Sequence, residues 1–264
     1  MFTSPSRDKK KTQTTFYHKF DEDVVQLKHQ DYQLPLNYNY DTKRWSYKLL
    51  APVVSLLAWI LGWFYAKFFL HLSFKNQKIL KPYRKTGYFV YGNHTLPEGD
   101  GFTIFLLVPL TKVAAIVAPE NLAIPILGKL LPYGGAVPIP NSRKQILAFN
   151  QAVDAKIAQK KAMFIYPEAH VWPYYQKIRP LSLSSFHYPV ETQSPVFCKT
   201  TTFQKRKFSK KPKVTVYLDG PITWNHQHSR MAQERELRDK VQKQMERRSQ
   251  LSTYEYIKYQ KIID

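Results

Sequence analysis

The 264-residue chain is 44% hydrophobic and 15% aromatic, which excludes a disordered polymer and leaves room for one large α/β domain or two small ones. Forty Lys+Arg against nineteen Asp+Glu give a formal charge of +21, so the complementary surfaces are anionic: phospholipid, nucleic acid or an acidic carrier, among which charge alone does not choose. The single cysteine, Cys198, excludes an internal disulfide framework and fits a reducing, cytosolic setting.

Residues 1–44 open with Arg7, Lys9, Lys10 and Lys11 and continue polar and tyrosine-rich, with no sustained period of 3.6 or 2. They read as a polar basic arm. A cleavable secretory signal needs its apolar region close behind the basic residues, and here a long polar stretch intervenes. Residues 45–75 change abruptly to an apolar, aromatic run without charge between Lys48 and Lys67. As helix that run measures about 27 Å, just short of a ~30 Å hydrocarbon core. Pro52, Gly62 and the rings of Trp59, Trp63 and Tyr65 speak against a clean span, because such rings favour the interface. The expectation is a membrane-associated helical motif, broken near Pro52 or Gly62 and resting in one leaflet. A buried core helix is the alternative.

Residues 76–250 alternate strand-like and helical patterns. Tyr88 to Tyr91 is a strand, Phe102 to Leu110 a buried helix, Lys112 to Ala118 a second strand, and Leu122 to Leu131 a short helix. Gly134-Gly135 turns into a proline-limited edge strand ending at Pro140. Arg143 to Lys160 is an amphipathic helix, and Ala162 to Tyr166 is a buried strand. Pro195 to Thr201 and Lys213 to Leu218 are further strands. The basic run between them reads first as a solvated hairpin and second as a contact with an anionic surface. Ser229 to Gln250 is a helix with an apolar stripe of Leu237, Val241 and Met245. The expected fold is therefore α/β, a mixed sheet of about six or seven strands with helices on both faces, preceded by the apolar segment. The Tyr-rich tail, 251–264, carries no functional signal.

Chemistry concentrates in the loop Tyr91-Gly92-Asn93-His94-Thr95-Leu96-Pro97-Glu98-Gly99-Asp100. Neutral imidazole can take a proton from a hydroxyl near pH 7, and a neighbouring carboxylate fixes its tautomer and steadies the imidazolium. The same residues also suit a plain N-capped turn in which Asp100 caps the next helix and His94 is a surface residue. A second acid, Glu168, stands at the C-terminal end of a buried strand, where sites in open α/β sheets are assembled. No phosphate-binding glycine loop, metal-spaced Cys/His set or nucleophile-elbow serine is present in the sequence.

In order, Asn93-His94, the Gly135 to Pro140 turn, Phe164-Ile165-Tyr166-Pro167-Glu168 and Ser194-Pro195-Val196 resemble the four blocks of the glycerophospholipid acyltransferases, 1-acylglycerol-3-phosphate acyltransferases among them. The resemblance covers about residues 45–245. It implies an enzyme of phospholipid biosynthesis on the cytoplasmic face of the cell membrane. Such an enzyme moves a fatty acyl chain from a thioester, acyl-CoA or acyl carrier protein, to the hydroxyl of a lysophospholipid such as 1-acylglycerol-3-phosphate. It implies no cofactor beyond that co-substrate, no metal and no nucleic acid. By the same resemblance His94 is the general base and Asp100 its orienting acid, with Glu98 the alternative acid. Pro167 and Glu168 shape the acceptor site, Gly135 belongs to the second block, and Arg143, Lys144, Lys177 or Arg179 would hold the acceptor phosphate. The chain departs from the family pattern in having five residues rather than four between histidine and acid, and in lacking the usual arginines of blocks two and three. A lyso-aminolipid or glycolipid acceptor, or a non-catalytic membrane-binding role, are the competing readings.

Overall fold

The computed structural model describes residues 13–25, 31–40 and 42–262, so the basic opening at Arg7 and Lys9 to Lys11 lies outside the described residues. The main sheet has seven strands in the order β2-β8-β7-β3-β6-β4-β5. They are β2 (Ser73–Lys75), β3 (Tyr88–Gly92), β4 (Val113–Val117), β5 (Ala136–Pro138), β6 (Ala162–Ile165), β7 (Val196–Arg206) and β8 (Ser209–Asp219). All neighbours are parallel except the β7–β8 hairpin, which makes the sheet mixed, as the sequence pattern implies.

Side chains alternate between two cores across this sheet, the consequence of a two-residue repeat. Tyr88, Val90, Phe164 and Phe197 face one core, with Leu96, Ile104 and Leu107. Phe89, Tyr91, Met163 and Cys198 face the other, with Phe149, Leu237, Val241 and Met245. The first face is covered by α1 (Trp45–Phe64) and α2 (Gly99–Leu107); the second by α4 (Ile146–Ala158), α5 (His187–Thr192) and α6 (Arg230–Ser249). The stripe foreseen on the last helix is fully buried on the sheet.

Three elements differ from expectation. The segment anticipated as a broken pair is one helix: α1 runs through Pro52 and Gly62 and continues as a π-helical turn from Tyr65 to Leu70. Pro52 lies inside the helix and lacks the amide that would bond the Lys48 carbonyl, yet the helix continues through it. Gly62 does not break the helix but lets it approach α2, since a Cβ there would lie 3.1 Å from the Phe102 carbonyl oxygen. The single helix expected over Leu122 to Leu131 is a 3₁₀ turn, Pro119–Ala123, and one turn of helix, α3 (Leu127–Leu130). Pro125 disfavours helical backbone before it, and Ile126 takes a positive φ of 63°. Finally, β7 and β8 run much further than expected, to Arg206 and from Ser209, because the exposed Lys205, Lys210, Lys211 and Lys213 do not interrupt an antiparallel pair.

The arm and the tail also meet. β1 (Gln13–Tyr17) pairs in parallel with β9 (Ile257–Lys261), forming a separate two-stranded sheet. Tyr17, Trp172 and Tyr175 form a small core beneath it, with Tyr259 packed against them.

Candidate active site

The three central parallel strands end side by side, and each delivers part of one cluster. Register pairs Tyr91 with Ile165 on β6 and Gly92 with Lys199 on β7, so His94, Tyr166 and Lys199 emerge at the same end of the sheet. Gly92 has no room for a side chain: a Cβ would meet the Tyr166 ring at 2.8 Å. Asn93 ties the loop to β7, donating to the Thr201 carbonyl at 3.1 Å and accepting from the Thr201 amide at 2.8 Å.

His94 Nδ1 lies 3.0 Å from Asp100 Oδ2. That same oxygen accepts the amides of Thr95 at 2.9 Å and Leu96 at 3.0 Å, so Asp100 caps the loop and holds the imidazole together. Sequence reasoning set these two roles against each other; the geometry combines them. The extra residue between histidine and acid is absorbed in the turn before α2, closed by the Asp100 amide donating to the Leu96 carbonyl at 3.0 Å. Gly99 serves there by compactness, since a Cβ would come within 3.0 Å of Leu96 Cβ. Glu98 faces elsewhere and accepts from the Tyr65 hydroxyl at 3.2 Å.

Asp100 Oδ1 accepts from Lys199 Nζ at 2.8 Å, and both side chains are essentially excluded from water. Burial pushes the Asp100 carboxyl up, but the Lys199 ammonium and the His94 hydrogen bond outweigh it and pull the group down to about 2. An ionised carboxylate has no proton to give, so His94 Nδ1 must be the donor, leaving the lone pair on Nε2 at the opposite side of the ring. The imidazole is half-buried and stacks on Tyr166 at 4.6 Å between centroids. Tyr166 in turn donates to the Asp100 carbonyl at 3.0 Å. Chemically, this is a fixed, partly accessible base backed by a buried acid whose charge a lysine compensates.

Glu168 is brought to the same place, but as a brace. Its Oε2 accepts the His94 amide at 2.9 Å, and Oε1 accepts the Arg179 amide at 3.0 Å. Arg179 closes the pair at 3.1 Å, lies 4.8 Å over the Trp172 ring, and donates to the carbonyls of Phe20 and His170. Both residues are buried, so the expected anion-holding role of Arg179 is not what this guanidinium does: its charge is spent on Glu168. Pro167 is buried beside it, its carbonyl accepting the Ser182 amide at 3.2 Å.

Gly135 is not brought to the cluster. It precedes β5, three strands from β3 and at the opposite end of the sheet, and its φ of 95° places it where a Cβ would meet the Val113 carbonyl oxygen at 2.4 Å. Its task is a tight backbone turn. Arg143 and Lys144 are exposed at the edge before α4, and Lys177 is exposed on the loop after Glu168. Among the described residues, no hydrogen bond or ion pair joins any of the three to His94, Asp100 or Glu168.

Lys199 is the residue that sequence reasoning missed. Its signal was present: on β7, Phe197, Lys199, Thr201 and Phe203 share a face, and a lysine on an inward face of a buried strand requires a buried acid opposite.

The strand order, the helices on both faces and the leading apolar helix define an α/β fold with a mixed seven-stranded sheet. The particular likeness is to the crystal structure of the 1-acyl-sn-glycerophosphate (LPA) acyltransferase PlsC from Thermotoga maritima, at a TM-score of 0.55 and 16% identity over 78% of this chain and 80% of that one. At that identity the likeness is one of fold. No family model matches the sequence, and no curated protein matches it.

Proposed function

We propose that this chain is a membrane-associated O-acyltransferase that moves a fatty acyl group from a thioester, acyl-CoA or acyl carrier protein, to the hydroxyl of a lysophospholipid, with 1-acylglycerol-3-phosphate as the first acceptor to test. The observation that carries the reading is the imidazole of His94 held at 3.0 Å by a buried, ionised Asp100 at the end of the central strand. In the reaction the acceptor hydroxyl gives its proton to His94 Nε2 as its oxygen attacks the thioester carbonyl. Collapse of the tetrahedral adduct expels the thiolate, which takes the proton back from the imidazolium. Carrier thiol and acylated acceptor leave. The oxygen is a poor nucleophile until that proton moves, and a positioned base is typically worth about 10²–10⁴-fold.

The support for membrane association is α1, which with its π-helical extension is long and apolar enough to cross a bilayer. Its small residues Ser55, Gly62 and Ala66 face inward while Leu49, Val53, Leu57, Leu61 and Phe64 are exposed. It also touches the domain at both ends, Tyr47 stacking on Tyr133 and Tyr65 bonding Glu98. A helix with a packed side and a greasy side suits the interface of one leaflet, here assigned to the cytoplasmic face. The commitment of Arg179 to Glu168 favours a second reading of the acceptor, a lyso-aminolipid or glycolipid that presents no phosphate to be clasped.

Thioester-dependent acylation of a panel of lyso-lipids decides the matter, using membranes that carry the wild-type chain, His94→Ala, Asp100→Asn or Glu98→Gln. We expect losses of about 10²–10⁴-fold for the first two variants and little for Glu98→Gln. Equal turnover by wild type and His94→Ala would remove the proposed base.

A further inference from the structure

The β7–β8 hairpin ends in the run Gln204-Lys205-Arg206-Lys207-Phe208-Ser209-Lys210-Lys211-Pro212-Lys213, six cations without one acid. At its tip stands Phe208, 91% exposed, with the Lys207 ammonium beside its ring at 5.3 Å. Neither the turn nor the core explains this ring. Hairpin tips favour Asn, Asp and Gly, and a bare aromatic side chain in water gains nothing from burial.

The tip is also placed with care. Arg206 donates to the Lys211 carbonyl at 2.8 Å and the Tyr254 hydroxyl to the Lys210 carbonyl at 2.9 Å, so the hairpin end is braced. A second Arg206 nitrogen reaches the Phe69 carbonyl at 3.5 Å, beside the exposed rings of Phe68 and Phe69 at the end of the apolar helix. Between the two elements opens a cavity of about 720 Å³ lined by Trp59, Trp63, Lys67, His71, Arg206 and Lys213. Lys67 sits 4.7 Å over Trp63 within it.

We propose that the hairpin tip is a second membrane-contact element, which inserts Phe208 beside the apolar helix and gathers anionic phospholipid headgroups with its ring of lysines. The inference rests on the membrane reading above and deepens it by naming the lipid class and the inserting residue. Charge complementarity chooses the partner: a tip of uniform sign next to exposed rings matches an anionic bilayer surface, where basic residues meet headgroup phosphates and an aromatic ring enters the acyl boundary. Attraction of this kind weakens with salt while the apolar contact does not.

The test uses a cysteine introduced at the tip. Cys198 is buried, so in the full-length chain Phe208→Cys can be labelled with an environment-sensitive fluorophore at one accessible thiol. Unlabelled wild type is sedimented in parallel with vesicles of phosphatidylcholine alone or mixed with phosphatidylglycerol. We expect sedimentation with the mixed vesicles, together with a blue shift of the probe and its quenching by spin-labelled acyl chains. We also expect Lys205→Gln, Lys207→Gln, Lys210→Gln and Lys211→Gln combined to weaken the phosphatidylglycerol-dependent part at least about tenfold. A probe that stays in water while the wild type sediments would overturn the tip and leave the apolar helix as the anchor. Failure of the wild type to sediment with either vesicle would overturn both readings. Unchanged vesicle binding by the quadruple variant, with loss of duplex DNA binding, would overturn the lipid assignment in favour of nucleic acid.

Discussion

At the scale of single residues, the candidate site is a chain of three charges or potential charges: Lys199, Asp100 and His94, joined at 2.8 and 3.0 Å. Removing one member of a buried pair leaves the other without compensation, which typically costs about 3–5 kcal/mol. Chemical denaturation in detergent should therefore find Lys199→Met and Asp100→Asn each strongly destabilised, with the double variant losing far less than the sum. Additive losses would mean the two side chains do not act as a pair. His94 and Asp100 were legible from sequence because polar residues in a loop between apolar runs stand out. Lys199 was not, because its meaning depends on which strand lies next to β3, and the sheet order cannot be read from a lone lysine. Arg179 misled for the complementary reason. Its charge is plain in the sequence, but the Glu168 that consumes it is eleven residues away across a folded loop.

At the scale of elements, α1 shows how an apolar helix can be read for composition and misread for shape. Its period gave helix and its aromatics gave an interface, but Pro52 and Gly62 suggested breaks that tertiary packing makes unnecessary. Gly62 is where the backbones of α1 and α2 come together, with Phe102 Cβ 3.3 Å from the position a Cβ would take. Gly62→Leu should force the two helices apart at a cost of about 1–3 kcal/mol, while Gly62→Ala asks the neighbours to move only a few tenths of an ångström. Thermal unfolding of the two variants checks this, and a leucine as well tolerated as alanine would show that the helices are not held together there. The hairpin is located from sequence, but its length is not: strands expected to end at Thr201 and to begin at Lys213 reach Arg206 and Ser209.

At the scale of the whole molecule, the buried Asp100 couples stability to acidity. Its carboxyl titrates at about 2 in the folded chain against an ordinary 3.8. A depressed carboxyl stabilises the fold above its unfolded value, and that contribution disappears as pH falls through the folded one. The stability gap between wild type and Asp100→Asn should therefore narrow as pH drops from about 4 toward 2, which denaturation series at several pH values would record. A gap that stays constant over that range would show that the carboxyl is not depressed.

The pairing of β1 with β9 bears on the same whole. Residues near opposite extremes of the chain join in parallel, Gln13 beside Ile257 and Tyr17 beside Lys261. From there the arm reaches back to the site loops, where the Trp172 indole donates to the Glu22 carbonyl at 3.0 Å and Arg179 to that of Phe20 at 3.2 Å. Tension applied through the two extremities would load this small ladder lengthwise, straining all its bonds together instead of unzipping them in turn. The clasp thus resists a tug at either extremity before the force is felt by the loops that frame the histidine.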